Sequence, residues 1–125
     1  MVALGADARG EGAENVVAGL EARLGDDHPA LFQDLDWVAR LQEELRRYDD
    51  AIATSERVLA ASPIPNLSVA RAHLRLGRIA LERGNRADAR THLDAARPLY
   101  EDVVGTKDPG YQQVLDAQLR LDGAP

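Results

Sequence analysis

Residues 24–41, LGDDHPALFQDLDWVARL, and residues 104–121, VGTKDPGYQQVLDAQLRL, align without a gap. They agree at Gly25/Gly105, Pro29/Pro109, Gln33/Gln113, Leu35/Leu115, Asp36/Asp116, Arg40/Arg120 and Leu41/Leu121. Between them, a shift of 38 lays Ala51 over Ala89 and Arg40 over Arg78. The chain therefore repeats a unit of roughly 40 residues, a period typical of stacked helical arrays. In such an array one unit cannot bury its apolar face alone, so neighbouring units must stack to build a continuous core.

The apolar spacing makes each unit a pair of helices. Residues 1–12, rich in glycine, read as a leader without a helical stripe. From residue 13, Val16, Val17, Leu20 and Leu24 recur at three- and four-residue steps up to Gly25, a natural stop. Asp27 and Pro29 open a second helix that runs to about Arg46, with Leu31, Leu35, Val38, Leu41 and Leu45 as its stripe. A third spans about 48–61, and SPIPN at 62–66 breaks it, because two prolines cannot sit inside one helix. A fourth runs to about Arg83, a fifth from Arg86 to Val104 and a sixth from Pro109 to about Leu121, leaving 122–125 as a tail. The alternating β-branched and aromatic runs of strands are missing. The expected fold is all-α, a single repeat domain over residues 13–121.

Composition narrows the function classes. A chain of 125 residues is long enough to build a core without staples, and the absence of cysteine excludes disulfides and thiolate metal sites. With no apolar run long enough to span a bilayer, the reading is a cytoplasmic protein with no membrane partner. A net charge of −6 disfavours nucleic acid. Arginine outnumbers lysine 14 to 1, a bias that points to a GC-rich bacterial source.

Leu76, Gly77, Ala80, Gly84, Ala89, Leu93 and Ala96 together resemble the signature of the tetratricopeptide repeat, in which small residues let two antiparallel helices approach closely. LGDDHP and YEDVVGTKDP are similar to the longer repeats of the kinesin-light-chain type. The resemblance covers residues 13–121 and implies a short right-handed α-α superhelix of about two and a half to three helix-turn-helix repeats. The first repeat departs from the pattern: Arg46 stands where the turn glycine is expected, and Ser55 where a larger apolar residue is usual.

The resemblance also implies that the first helix of each pair lines a concave groove. The matching positions are Gln33, Asp36, Trp37, Arg40 and Glu44, then Arg71, Leu74, Arg75, Arg78 and Glu82, then Gln113, Asp116 and Arg120. Arg71, Arg75 and Arg78 fall on one helical face, where like charges repel by a few tenths of a kcal/mol per pair unless something acidic compensates. Asp36 and Asp116 are candidate internal partners; the alternative is the carboxylates of a bound peptide, which suit arginine's forked donors. Arg71 and Arg75 also match two basic positions of the carboxylate clamp in chaperone-binding members, but its asparagines are replaced here by Arg40 and Arg78. Trp37, the single tryptophan, matches Arg75 and Ala117, so packing does not demand an aromatic there and it reads as an anchoring contact.

Other polar residues read as structural. His73 takes the slot of Leu35 and is expected half-buried; Asp88 and His92, one turn apart, read as an exposed pair, and His28 as part of a helix start. No nucleophile, base and orienting group converge in the sequence, so neither catalysis, metal nor cofactor is expected. The leading expectation is a non-enzymatic module that binds a protein or peptide bearing acidic groups. The alternative is a sensor segment of a bacterial transcription regulator or signalling ATPase. The last helix carries Val114, Leu115 and Leu119 with nothing after it to cover them, which leaves room for a weak homodimer.

Overall fold

The computed structural model describes residues 32–62 and 64–123, with 19 and 22 as isolated helical positions. Apart from 19 and 22, the expected helix over 13–24 lies outside the described residues, as do the leader 1–12, the Asp27/Pro29 helix start, His28 and Leu31. Among the described residues the chain is all-helical, with five packed helices and no strand. No described helix is long and apolar enough to cross a membrane.

Helix α1 (Phe32–Glu44) buries Leu35, Val38, Ala39 and Gln42, a three-four-seven spacing that puts one face inward. α2 (Tyr48–Ala61) follows after three residues and buries Ala51, Thr54, Ser55 and Val58 on the same spacing. The turn between them is closed by the Arg46 N–H donating to the Glu43 carbonyl at 3.0 Å and the Arg47 N–H to the Gln42 carbonyl at 2.9 Å. Arg46 takes a left-handed φ of 61°. Thirty-eight residues later the pattern recurs: Gly84 has φ 75°, its N–H donates to Leu81, and the Asn85 N–H donates to Ala80. Both are Schellman-type helix ends, and the second uses the glycine that this backbone favours.

Ser62 and Asn66 organise the link to α3 (Leu67–Glu82). The Asn66 amide donates to Ser62 Oγ at 2.8 Å, and its Oδ1 accepts from the Val69 N–H at 3.0 Å, capping the helix. α3 is buried on several sides, from Ala70 and Ala72 to Ile79 and Ala80, because it contacts all four other helices. It packs most extensively on α4 (Arg86–Leu99), as α1 does on α2. At the α3–α4 contact a Cβ on Gly77 would stand 2.7 Å from Leu93 Cδ2. In the first hairpin the matching positions are Ala39 and Ser55, both small and both fully buried. Ser55 is fully buried where a large apolar residue was expected, and its hydroxyl has no hydrogen-bond partner.

The fifth helix does not continue as an α-helix to Val104. Pro98, inside α4, cannot donate to the carbonyl four residues earlier. The ladder then widens into a π-helical turn, Tyr100–Val104, ended by Gly105 at φ 120°, whose N–H donates to the Tyr100 carbonyl at 2.6 Å. α5 (Pro109–Gly123) starts with proline at its first position, and Asp108 Oδ1 accepts from the Gly110 N–H at 2.8 Å. It runs to Gly123, two residues past the expected end, where Arg90 pairs with Asp122 at 3.0 Å and Arg86 donates to the Leu121 carbonyl.

The eight small and apolar contact residues expected between helices, Leu35, Val38, Ala51, Leu76, Ala80, Ala89, Leu93 and Ala96, are all buried. Of the terminal stripe, Val114 is buried, Leu115 half-buried and Leu119 exposed. α1 and α5 each pack on α3, so these three helices share one side of the molecule, which carries the groove described next.

Candidate functional site

A groove of about 1150 Å³ runs across α1, α3 and α5. Eleven of the thirteen groove positions read from the sequence line it: Asp36, Trp37, Arg40, Glu44, Arg71, Leu74, Arg75, Arg78, Glu82, Gln113 and Arg120. The side chain of Gln33 lies outside the described residues. Asp116 is not in the lining; it is exposed and accepts from Gln112, one turn back on its own helix, at 3.0 Å. Six arginines and five carboxylates line the groove, so it is biased toward positive charge in a chain whose net charge is −6.

The arginines of α3 differ in environment although they share a face. Arg75 is 4% exposed; its Nη1 donates to Asp36 Oδ1 at 3.1 Å, and its Nε stands 3.5 Å from Glu43 without hydrogen-bonding geometry. Burial pulls its pKa below the usual guanidinium value, while Asp36 and Glu43 act in the opposite direction. Arg78 lays a bidentate fork on Glu43 at 2.8 and 3.1 Å and also reaches Gln113 at 2.8 Å. Arg71 makes a single 3.4 Å contact with Asp36, and its side chain is 48% exposed. The compensation expected from Asp36 and Asp116 is thus supplied by Asp36 and Glu43. Asp116 has a short side chain on the solvent side of α5, whereas Gln113, one turn earlier, is the residue of that helix that meets Arg78.

Three guanidiniums therefore share two carboxylates, which leaves one positive charge in excess at the centre of the groove. Arg46 and Arg120 add lining cations that make no ion pair among the described residues. Trp37 is 47% exposed at the groove wall rather than in the core.

Three contributors escaped the sequence. Glu43 is not among the groove positions read from the sequence, yet its signal was present, since it lies seven residues after Asp36 on the face that opposes the arginines. Tyr100 and Gly110 meet at the floor, and a Cβ on Gly110 would stand 2.5 Å from Tyr100 Cζ. Tyr100 is fully buried, and its hydroxyl has no hydrogen-bond partner. Nothing local in LYEDVVG marks it, because its position depends on the π turn.

Away from the groove, His73 on α3 is half-buried, and its Nδ1 lies 3.1 Å from His92 Nδ1 on α4, the ring centroids 5.4 Å apart. The expected Asp88–His92 pair does not form: Asp88 accepts instead from Asn85 at the helix cap, and His92 turns toward α3. Among the described residues no three His, Asp or Glu side chains are grouped to hold a metal ion.

No family model matches this chain, and neither the curated proteins nor the solved structures contain a match.

Proposed function

We propose that this chain is a non-enzymatic interaction module, a short right-handed array of tetratricopeptide-like repeats that holds an acidic peptide segment of a protein partner in the groove of α1, α3 and α5. The observation that carries the reading is the groove itself: a concave site with one uncompensated positive charge at its centre, an exposed tryptophan on its wall and additional arginines at its margin. Aromatic and arginine side chains contribute most of the binding energy at peptide and protein interfaces. A local excess of positive charge in an acidic chain favours acidic partners over other surfaces. The repeat reading is supported by the two helix ends 38 residues apart, which share their hydrogen bonds and left-handed residue, and by the packing of α1 and α5 on the same helix.

Panning a displayed random-dodecapeptide library on the chain tests this. Selected sequences are expected to be enriched in Asp and Glu, to bind more weakly as salt rises, and to change the emission of Trp37, the single tryptophan. Selected peptides without acidic enrichment, or acidic peptides that bind while leaving Trp37 emission unchanged, overturn the reading.

A further inference from the structure

A buried hydroxyl without a partner is uncommon, because removing it from water costs free energy that a hydrogen bond normally offsets. Tyr100 holds such a group: the residue is fully buried, yet its Oη has neither donor nor acceptor. The charged groups that act on this hydroxyl are Asp108, Arg71, Arg78 and Asp36, and every one of them lines the groove. Its Oη is the Tyr100 atom nearest Gly110, and both residues line the groove, while Tyr100 also belongs to the core cluster with Leu93 and Val114. Gly110 is the residue that permits this placement, since any side chain there would overlap the phenol ring.

We propose that the Tyr100 hydroxyl is an anchor that donates a hydrogen bond to a carboxylate of the bound peptide, with Arg71 supplying the ion pair. The inference rests on the groove-binding reading and specifies its contact point. Three features make carboxylate the fitting chemistry. With six arginines and five carboxylates, Asp108 among them, the groove lining carries a single positive charge in excess, which one carboxylate neutralises. Arg71 is the least committed of the three arginines, half exposed and held by one long contact. The phenol keeps its proton, because burial and then Asp108 raise its pKa, so it acts as a donor toward an acceptor-only ligand group.

A carboxylate comes either from acidic side chains or from a peptide's free carboxyl terminus, and two probes separate these sources. One is a capped hexapeptide of alternating leucine and glutamate. The other has glutamine in place of glutamate and a free carboxyl terminus. The wild-type chain is expected to bind at least one of them, and the one it binds identifies the source. Tyr100→Phe should weaken that binding by about tenfold or more, the effect of one lost hydrogen bond to a charged group. Because the hydroxyl has no partner in the fold, the same variant should melt at or above the wild-type temperature. Arg71→Gln, which alters only a half-exposed side chain, should weaken the same peptide while leaving the melt unchanged. If neither peptide binds to wild type, both this anchor and the groove reading fall. If Tyr100→Phe binds as tightly as wild type, the anchor alone falls. A melting temperature lowered by several degrees in Tyr100→Phe also overturns the anchor, since it reveals a structural partner for the hydroxyl.

Discussion

Arg71, Arg75 and Arg78 carry the same functional group on the same face of α3, yet the physical demands on them differ. Arg75 is desolvated and holds Asp36 and Glu43 together across the α1–α3 contact, whereas Arg71 reaches one of those carboxylates from solvent. Removing one member of a buried ion-pair network leaves its partners under-compensated and costs about 3–5 kcal/mol. Asp36 and Glu43 each keep a second arginine, so Arg75→Ala should fall near the lower end, about 3 kcal/mol. Arg71→Ala should cost under about 1 kcal/mol, as an exposed pair does. Urea unfolding of the two variants checks this, and equal losses would contradict the division into a structural and an accessible arginine. The sequence revealed that these three residues share a face. It did not reveal which would be buried, because that is decided by the packing of α1 against α3, which brings Asp36 and Glu43 onto Arg75.

At the scale of the element, the bounds of α2, the end of α3 and the start of α4 were legible because local chemistry sets them: Gly84 ends a helix, and the prolines near residue 64 stop one. The π turn at Tyr100–Val104 was not legible, since the run YEDVV is equally compatible with an α-helix and the register change depends on packing above Gly110. The first turn is informative in another way. Arg46 occupies the left-handed backbone that Gly84 occupies in the second hairpin, and a residue with a Cβ is disfavoured there. It lines the groove without an ion pair among the described residues, so nothing in the fold offsets the strain. Arg46→Gly should therefore stabilise the chain by about 1 kcal/mol, seen as a melting temperature raised by a few degrees. An unchanged or lowered melt would mean that the arginine side chain contributes more than its backbone costs.

At the scale of the molecule, the hairpin of α3 and α4 is the largest helix–helix contact among the described residues, and a pair of histidines sits within it. With Nδ1 atoms 3.1 Å apart, one imidazole must donate and the other accept, an arrangement available only while at least one ring is neutral. Burial, and secondly the neighbouring His92, lower the pKa of His73 below its ordinary value of 6.5. Between that lowered value and 6.5 the unfolded chain binds more protons at this site than the folded one, so stability rises with pH through the window. The contribution is complete above pH 6.5 and is lost as the pH falls through the folded pKa. Since α3 also carries the arginines, loosening this contact weakens the element on which the groove is built. Thermal melts near pH 7.5 and pH 5.5 should differ by a few degrees, the acid sample melting lower. Leucine is the residue at the matching position of the first hairpin, Leu35, so His73→Leu should keep the contact apolar and remove most of the difference. Equal wild-type melts at the two pH values, or a His73→Leu variant that retains the full acid loss, would show that stability in this range is governed by groups outside the α3–α4 contact.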